Sequence, residues 1–235
     1  MYIRLAELNI EINNLYKYIE EMCKDYIIFK PNNIDISINV SKEEIQEEIN
    51  KSEELYPEFY IETLLVYRKI ALQIVNFDGF LLHGSSFMIN DKAFLLCAKS
   101  GVGKTTHSLL LANYLKDRFT WINGDKPLIR IIDGIPYCYG TPWCGKENYQ
   151  NNIKVECKAI AFIERSKENF VLKLEKKEVF KKLIHQLLIN DNMEYMNKAF
   201  VLFNDFINYI DAYIINCNME KDAPIVSYKE IFSKY

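Results

Sequence analysis

The residues best able to do chemistry lie in one short run, Ala98-Lys99-Ser100-Gly101-Val102-Gly103-Lys104-Thr105. Phosphoryl oxygens are held by convergent backbone N–H groups, by a helix N-terminus and by a lysine that reaches between phosphates. Gly101 and Gly103 leave the backbone free to wrap an anion, where a side chain would block it. The run follows the apolar stretch Ala93-Phe94-Leu95-Leu96 and precedes a helix-forming segment, which is the context a phosphate loop demands. The chemistry implied is binding of nucleotide phosphates by Lys99, Ser100, Gly101, Val102, Gly103 and Lys104, with the Thr105 hydroxyl on Mg²⁺. Thr106 is a second hydroxyl, able to touch a phosphate or to close the first helical turn. Ala98 stands where the motif has its first glycine, which is tolerable at negative φ. The other reading of the run is a glycine-rich turn before a surface helix, with Lys104 merely solvated.

Metal-assisted phosphate chemistry also wants an acid at the end of a neighbouring strand, and Asp125 directly follows the apolar Trp121-Ile122. It is the second candidate Mg²⁺ contact, direct or through water, with a turn aspartate in Asn123-Gly124-Asp125 as the alternative. His83, in Leu82-His83-Gly84-Ser85, is either a hydrogen-bonded strand-end histidine or a proton donor and acceptor near the transferring phosphate. His107 reads as a packing or solvent-facing residue rather than a nucleotide contact, and His185, beside Lys181, Lys182 and Gln186, reads as surface. In Thr141-Pro142-Trp143-Cys144-Gly145-Lys146, Trp143 stacks on a base, covers a substrate or pins the loop to the core, and Lys146 is placed to neutralise phosphate. Arg130, Arg165 and Lys99 are further candidate phosphate contacts. No Ser-His-Asp or Cys-His spacing stands out in the linear sequence.

These side chains need elements to position them. Leu8, Ile10 and Ile12 alternate as in a half-buried strand, as do Ile34, Ile36, Ile38 and Val40. Leu15, Ile19 and Met22 suggest a short helix between them. Ser41 with Glu44 forms a capping box for a helix near Glu43–Asn50, and a longer helix runs from just past Pro57 to Asp78-Gly79. Strands are predicted at Phe80–Leu82, Ser85–Ile89 and Lys92–Ala98, the last two joined by a tight turn at Asn90-Asp91. A helix from Lys104 to about Lys116 follows, then strands at Thr120–Ile122, Leu128–Ile132 and Ile135–Tyr139. Gly140–Asn152 has no periodicity, and loops of that length in compact domains are usually functional. Strands at Lys158–Arg165 and Phe170–Leu174, helices at Lys176–Leu188 and Tyr195–Asp211, a strand at Tyr213–Cys217 and a helix from Pro224 complete the chain. The pattern is an α/β core at 79–235, preceded by a small α+β portion at 1–78 packed on it.

The composition agrees with an ordinary globular protein: 235 residues, 49% hydrophobic and 26% charged. With 29 basic and 32 acidic side chains interspersed, and a net charge of -3, no basic surface for nucleic acid emerges. No apolar run reaches the roughly 20 residues of a membrane span, and the N-terminus does not read as a signal peptide. The 6 cysteines are scattered without tight pairs and read as reduced core thiols, so a cytoplasmic location is expected.

From His83 to about Tyr139 the chain resembles the HPr serine kinase/phosphorylase family, whose nucleotide-binding fold is shared with the C-terminal domain of phosphoenolpyruvate carboxykinase. The resemblance rests on His83-Gly84, on Ser100 to Thr105, and on an acidic pair that falls on Gly124-Asp125. Over most of its length the chain is similar to uncharacterised bacterial relatives of that kinase. The matching segments are Tyr67-Arg68-Lys69-Ile70-Ala71, Leu82 to Ser85, Gly103 to His107, Asn123 to Leu128 and Gly140 to Lys146. What the resemblance implies is an ATP- or GTP-binding, Mg²⁺-dependent phosphotransferase acting on a hydroxyl, such as a serine of a small protein or peptide encoded nearby. His83, Lys104 and Asp125 would carry the reaction. The first acid of the family pair is Gly124, which cannot accept a proton, so His83, Asp125 or a substrate group would have to. The alternative is a nucleotide-binding regulatory partner with little turnover; either form is compatible with a homo-oligomer.

Overall fold

The computed structural model describes residues 1–52, 54–99, 101–184 and 192–235. The predicted phosphate-loop residue Ser100, His185 and the end of the predicted Lys176–Leu188 helix lie outside the described residues. The chain divides into two compact units, Met1–Phe77 and Asp78–Tyr235.

The first unit opens with a hairpin of β1 (Tyr2–Leu5) and β2 (Leu8–Asn13), paired Leu5 to Leu8 across Ala6 and Glu7. Both turn residues take positive φ, 49° and 66°, as a two-residue hairpin requires. After a short helix α1 (Tyr18–Met22), β3 (Ile36–Asn39) adds to β2 in parallel. Ile10, Ile12, Ile36 and Ile38 are buried on one face, as their alternation predicts. Helix α2 (Lys42–Lys51) starts at the predicted capping box, with both reciprocal hydrogen bonds between Ser41 and Glu44 made. Helix α3 (Glu58–Gln73) ends earlier than predicted, because a short 3₁₀ segment takes over at Ile74–Phe77. Glu62 of α3 is fully buried and accepts from the backbone amides of Leu15 at 2.5 Å and Tyr16 at 3.2 Å.

The second unit begins with β4 (Gly79–Leu81), β5 (Ser85–Ile89) and β6 (Lys92–Cys97). Asn90 and Asp91 make the predicted tight turn, with φ of 50° and 58°. Next come α4 (Lys104–Leu115), β7 (Thr120–Asn123), β8 (Leu128–Ile132), β9 (Ile135–Tyr139) and the long β10 (Lys154–Arg165). The chain closes with β11 (Phe170–Lys173), α5 (Lys176–Leu183), α6 (Met193–Tyr209), β12 (Asp211–Cys217) and α7 (Ala223–Glu230).

Among the described residues the strands form one mixed sheet in the order β4-β8-β9-β10-β6-β5-β7, with β12 and then β11 joining on β10. Strand β10 explains how so many strands share one sheet. Its first residues pair antiparallel with β9, and the rest lie parallel between β6 and β12. Being flanked on both sides, β10 is buried from Cys157 through Ile163 except at Lys158. The two parallel neighbours bring the C-terminal ends of β6, β10 and β12 to one edge, where ligand sites of open α/β sheets form. Beneath α4 and α7 the core is aromatic, with Phe94 meeting Phe232 at 4.9 Å and Phe87 meeting Phe119 at 4.8 Å. No helix among the described residues is long and apolar enough to cross a membrane. All 6 cysteines are buried and unpaired.

Helix α4 carries His107 inward, as its packing reading predicts, at 2% exposure. Its Nε2 lies 3.0 Å from Ser227 Oγ on α7, and Ser227 in turn donates to the Pro224 carbonyl. The hydroxyl proton being committed there, the imidazole donates from Nε2, and Nδ1 is left without a hydrogen-bond partner. Burial pushes the His107 pKa down to about 4. The unfolded chain therefore binds a proton the native state refuses between about pH 6.5 and 4, so stability contributed by the neutral ring is full above pH 6.5 and falls as pH drops towards 4. Urea unfolding at pH 7 and pH 4.5 should show His107→Gln losing on the order of 2 kcal/mol less than the wild type across this interval. Equal losses in the two proteins would show that His107 does not titrate as described.

Candidate functional site

The loop between β6 and α4 owes its shape to two glycines. Gly101 and Gly103 adopt φ of 74° and 121°, a region strained for any residue with a Cβ. Gly103 is the N-cap of α4, and no side chain caps the helix. The Val102 amide turns back to the Lys99 carbonyl at 3.2 Å, and the first helical bond runs from the His107 amide to the Gly103 carbonyl. The amides of Lys104, Thr105 and Thr106 are thus first-turn donors without intrahelical acceptors, at the positive end of the helix dipole. From the far side, Arg165 at the end of β10 donates Nε to the Val102 carbonyl at 3.2 Å and Nη2 to the Gly101 carbonyl. That fork draws the loop's carbonyl oxygens to one side.

Opposite the loop stands Asp125. Asn123, the last residue of β7, is buried and holds the turn that presents it. The Asn123 Oδ1 accepts from the Asp125 amide at 2.8 Å and the Lys126 amide at 2.6 Å. Its Nδ2 donates to the carbonyl and hydroxyl oxygens of buried Thr141 at 3.0 and 2.9 Å, locking β7 to the start of the 140–152 loop. The Asp125 carbonyl accepts from the Gly84 amide at 2.8 Å, which draws His83 to the same place.

The charged groups meet at one oxygen. Asp125 Oδ1 lies 3.3 Å from Lys104 Nζ and 3.2 Å from His83 Nε2, while Lys126 Nζ is 3.9 Å from Oδ2. Burial alone would raise the Asp125 pKa; the His83 hydrogen bond and the charges of Lys104 and Lys126 outweigh it and hold the carboxyl down at about 2. Lys104 is only 15% exposed, so its ammonium is held in place rather than waving in solvent.

His83, Lys104 and Asp125 line a cleft of about 450 Å³, together with Lys99, Gly101, Gly103, Thr105, Thr106, Gly124 and the 145–147 segment. Of the residues singled out from sequence, His83, Lys99, Gly101, Gly103, Lys104, Thr105, Thr106, Asp125 and Lys146 thus share one cleft. Val102 faces a second cleft of about 390 Å³ on the other flank of the loop, walled by Leu110, Ile163 and Met219. Trp143 is 6% exposed, and its buried ring offers no face to a base. Of the roles its sequence leaves open, the burial fits pinning the loop.

The donor set was weighed for Mg²⁺ and for a polyphosphate. The Thr105 hydroxyl has no hydrogen-bond partner among the described residues, and the Asp125 carboxylate lines the same cleft, so hard oxygen donors are present for Mg²⁺. Among the described residues no group of three His, Cys, Asp or Glu side chains converges as a metal cage, so phosphate and water would supply the remaining ligands. Lys99, Lys104 and Lys146 around uncapped amides suit a polyanion.

No protein-family model matches the chain, and no curated protein is similar to it. Among solved structures it shows a weak likeness to the HPr(Ser) kinase/phosphatase from Coxiella burnetii, with a TM-score of 0.41 and 8% identity over 66% of this chain and 89% of that one. The likeness is distant and concerns the fold alone.

Arg165, a candidate phosphate contact by sequence, instead bonds the loop carbonyls of Val102 and Gly101. Two contributors carry no signal in the sequence: Asn123, which acts through hydrogen bonds that no spacing reveals, and Glu147, which reaches the cleft because the aperiodic loop folds back over β7. That loop also explains Gly124. A Cβ there would lie 2.6 Å from the Cys144 carbonyl oxygen, so the position has no room for the acid the resemblance called for. Gly124→Ala should lower stability by about 1–3 kcal/mol, the usual cost of overpacking against backbone, visible as a depressed Tm in thermal unfolding. An unchanged Tm would mean the 140–152 loop is not seated on Gly124 in solution.

Proposed function

We propose that the cleft binds the phosphates of ATP or GTP and passes the terminal phosphoryl group to a hydroxyl, such as a serine of a small protein or peptide. The observation that carries this reading is the meeting of Lys104 and Asp125, 3.3 Å apart, at the uncapped start of α4. An ammonium, three unbonded amides and a carboxylate in one cleft are the parts that phosphoryl transfer uses, because such transfer depends mainly on positioning and neutralised charge.

Each residue has a derived part. The amides of residues 104–106 and the Lys104 ammonium would grip the outer phosphates, with Lys99 and Lys146 adding charge at the rim. The fork of Arg165 holds the loop in the shape that exposes those amides. When bound, Mg²⁺ would neutralise phosphate oxygens from a position held by Thr105 and Asp125. The second cleft, which shares Gly101, Gly103 and Thr106 with the first and is walled partly by Val102, Leu110, Ile163 and Met219, gives a base room to leave the phosphate site.

The alternative, a nucleotide-binding regulatory protein with little turnover, draws support from Gly124, where no acid fits. The two readings separate in a pair of measurements. Lys104→Ala should weaken Mg-nucleotide binding by about 10- to 100-fold in titration calorimetry, the worth of one charge-assisted contact. Asp125→Asn should keep nucleotide affinity within a few-fold, yet cut transfer of labelled γ-phosphate to an acceptor protein or peptide by about 100-fold or more. Tight binding with label in no acceptor would establish the regulatory reading; no binding by the wild type would remove both.

A further inference from the structure

The cleft holds a second carboxylate. Glu147 lines it beside Lys146, is exposed, and makes no hydrogen bond or ion pair with any described residue. Asp125 is differently placed, its Oδ1 occupied by Lys104 and His83 and its Oδ2 facing Lys126. Both Asp125 oxygens thus already face cations, whereas the Glu147 carboxylate stands in the cleft without such a partner among the described residues.

The backbone brings the two acids together by a specific device. Gly145 takes φ of 87°, and a Cβ built on it would sit 3.3 Å from Asp125 Cβ and 3.6 Å from Glu147 Oε2. Gly145 therefore lies against both side chains, and a side chain there would crowd Asp125. The same loop lays its Cys144 carbonyl against Gly124, crowding that position, and carries Glu147 into the lining of the cleft. The hairpin-like return from Asn148 to the Gly145 carbonyl, at 3.4 Å, turns residue 147 back towards the site.

We infer that Glu147 is the group that takes the proton from the acceptor hydroxyl during phosphoryl transfer. This rests on the proposed phosphotransferase function. As the acceptor oxygen forms its bond to the terminal phosphorus, the bond from that phosphorus to the bridging oxygen breaks and its electron pair leaves with the nucleoside diphosphate. The hydroxyl proton passes to a Glu147 carboxylate oxygen and from there to solvent, so charge and atoms balance with no further reactant. Asp125 keeps to the phosphate side of the cleft, and the division of labour falls between two loops rather than between adjacent residues.

The test uses the full chain with Mg-ATP and water as the acceptor, following release of inorganic phosphate and ADP. Glu147→Gln should slow release by about 100-fold or more, the usual worth of a positioned base, and Glu147→Asp should recover part of the rate. Affinity for a non-hydrolysable ATP analogue and the Mg²⁺ concentration for half-maximal rate should stay within about twofold. Wild-type turnover in Glu147→Gln would overturn the inference while leaving the phosphotransferase reading intact. A raised Mg²⁺ requirement would overturn it too, making Glu147 a metal ligand. A wild type that binds the analogue yet passes phosphate neither to water nor to a serine-bearing protein or peptide would end the transfer reading, and the inference with it.

Discussion

One carboxylate oxygen ties the candidate site together. Asp125 Oδ1 meets Lys104 from the start of α4 and His83 from the segment between β4 and β5, so three stretches distant in sequence converge on it. The pair with Lys104 is mostly withdrawn from water, at 15% and 28% side-chain exposure, and burial of that kind costs both partners hydration. The fold supports the expense with a backbone frame: Asn123 fixes the Asp125 turn, Gly84 is bonded to its carbonyl, and Arg165 fastens the loop that begins α4. Every other feature of the cleft is arranged about that contact.

Much of the framework was legible because local rules dictate it. The Asn90-Asp91 turn, the Ser41–Glu44 capping box and the helix after the glycine loop are short-range structures, set by backbone preference and side chains a few residues apart. The first strand, Tyr2–Leu5, escaped notice because Arg4 and the strand's brevity leave too little alternation to read. Lys154–Cys157 were likewise missed as the start of β10, since their pairing is with β9 and not with the parallel neighbours that make the rest of the strand apolar.

The site divides in the same way. Glycines at positive φ and a lysine at a helix start follow from a contiguous motif, and Asp125 and His83 follow from their places at strand ends. Trp143 remained ambiguous because composition does not say whether a loop tryptophan faces in or out; its burial is decided by the tertiary lock between Asn123 and Thr141. Glu147 carried no sequence signal at all. A glutamate in an aperiodic polar stretch is indistinguishable from a solvated one until the loop's path over β7 is known.

That path reverses the meaning of Gly124. Taken from the resemblance alone, glycine at this position is a deletion of an acid from a working pair. In three dimensions it is a requirement of packing, since the Cys144 carbonyl occupies the space a side chain would need, 2.6 Å from any Cβ. The loop that takes that space also carries a carboxylate to the same cleft, with Gly145 as the spacer between it and Asp125. The bare Gly124 and the seating of the loop therefore go together, since a Cβ at 124 would meet the Cys144 carbonyl of the segment that leads to Glu147. On the proposed reading this has an electrostatic consequence. Two adjacent carboxylates would share one set of cations and depress each other's readiness to ionise together, whereas Asp125 stays bound to Lys104 and His83 while Glu147 remains outside that set. Separating the acids onto the turn after β7 and the 140–152 loop lets one be engaged by cations and the other stand apart from them, within a single cleft.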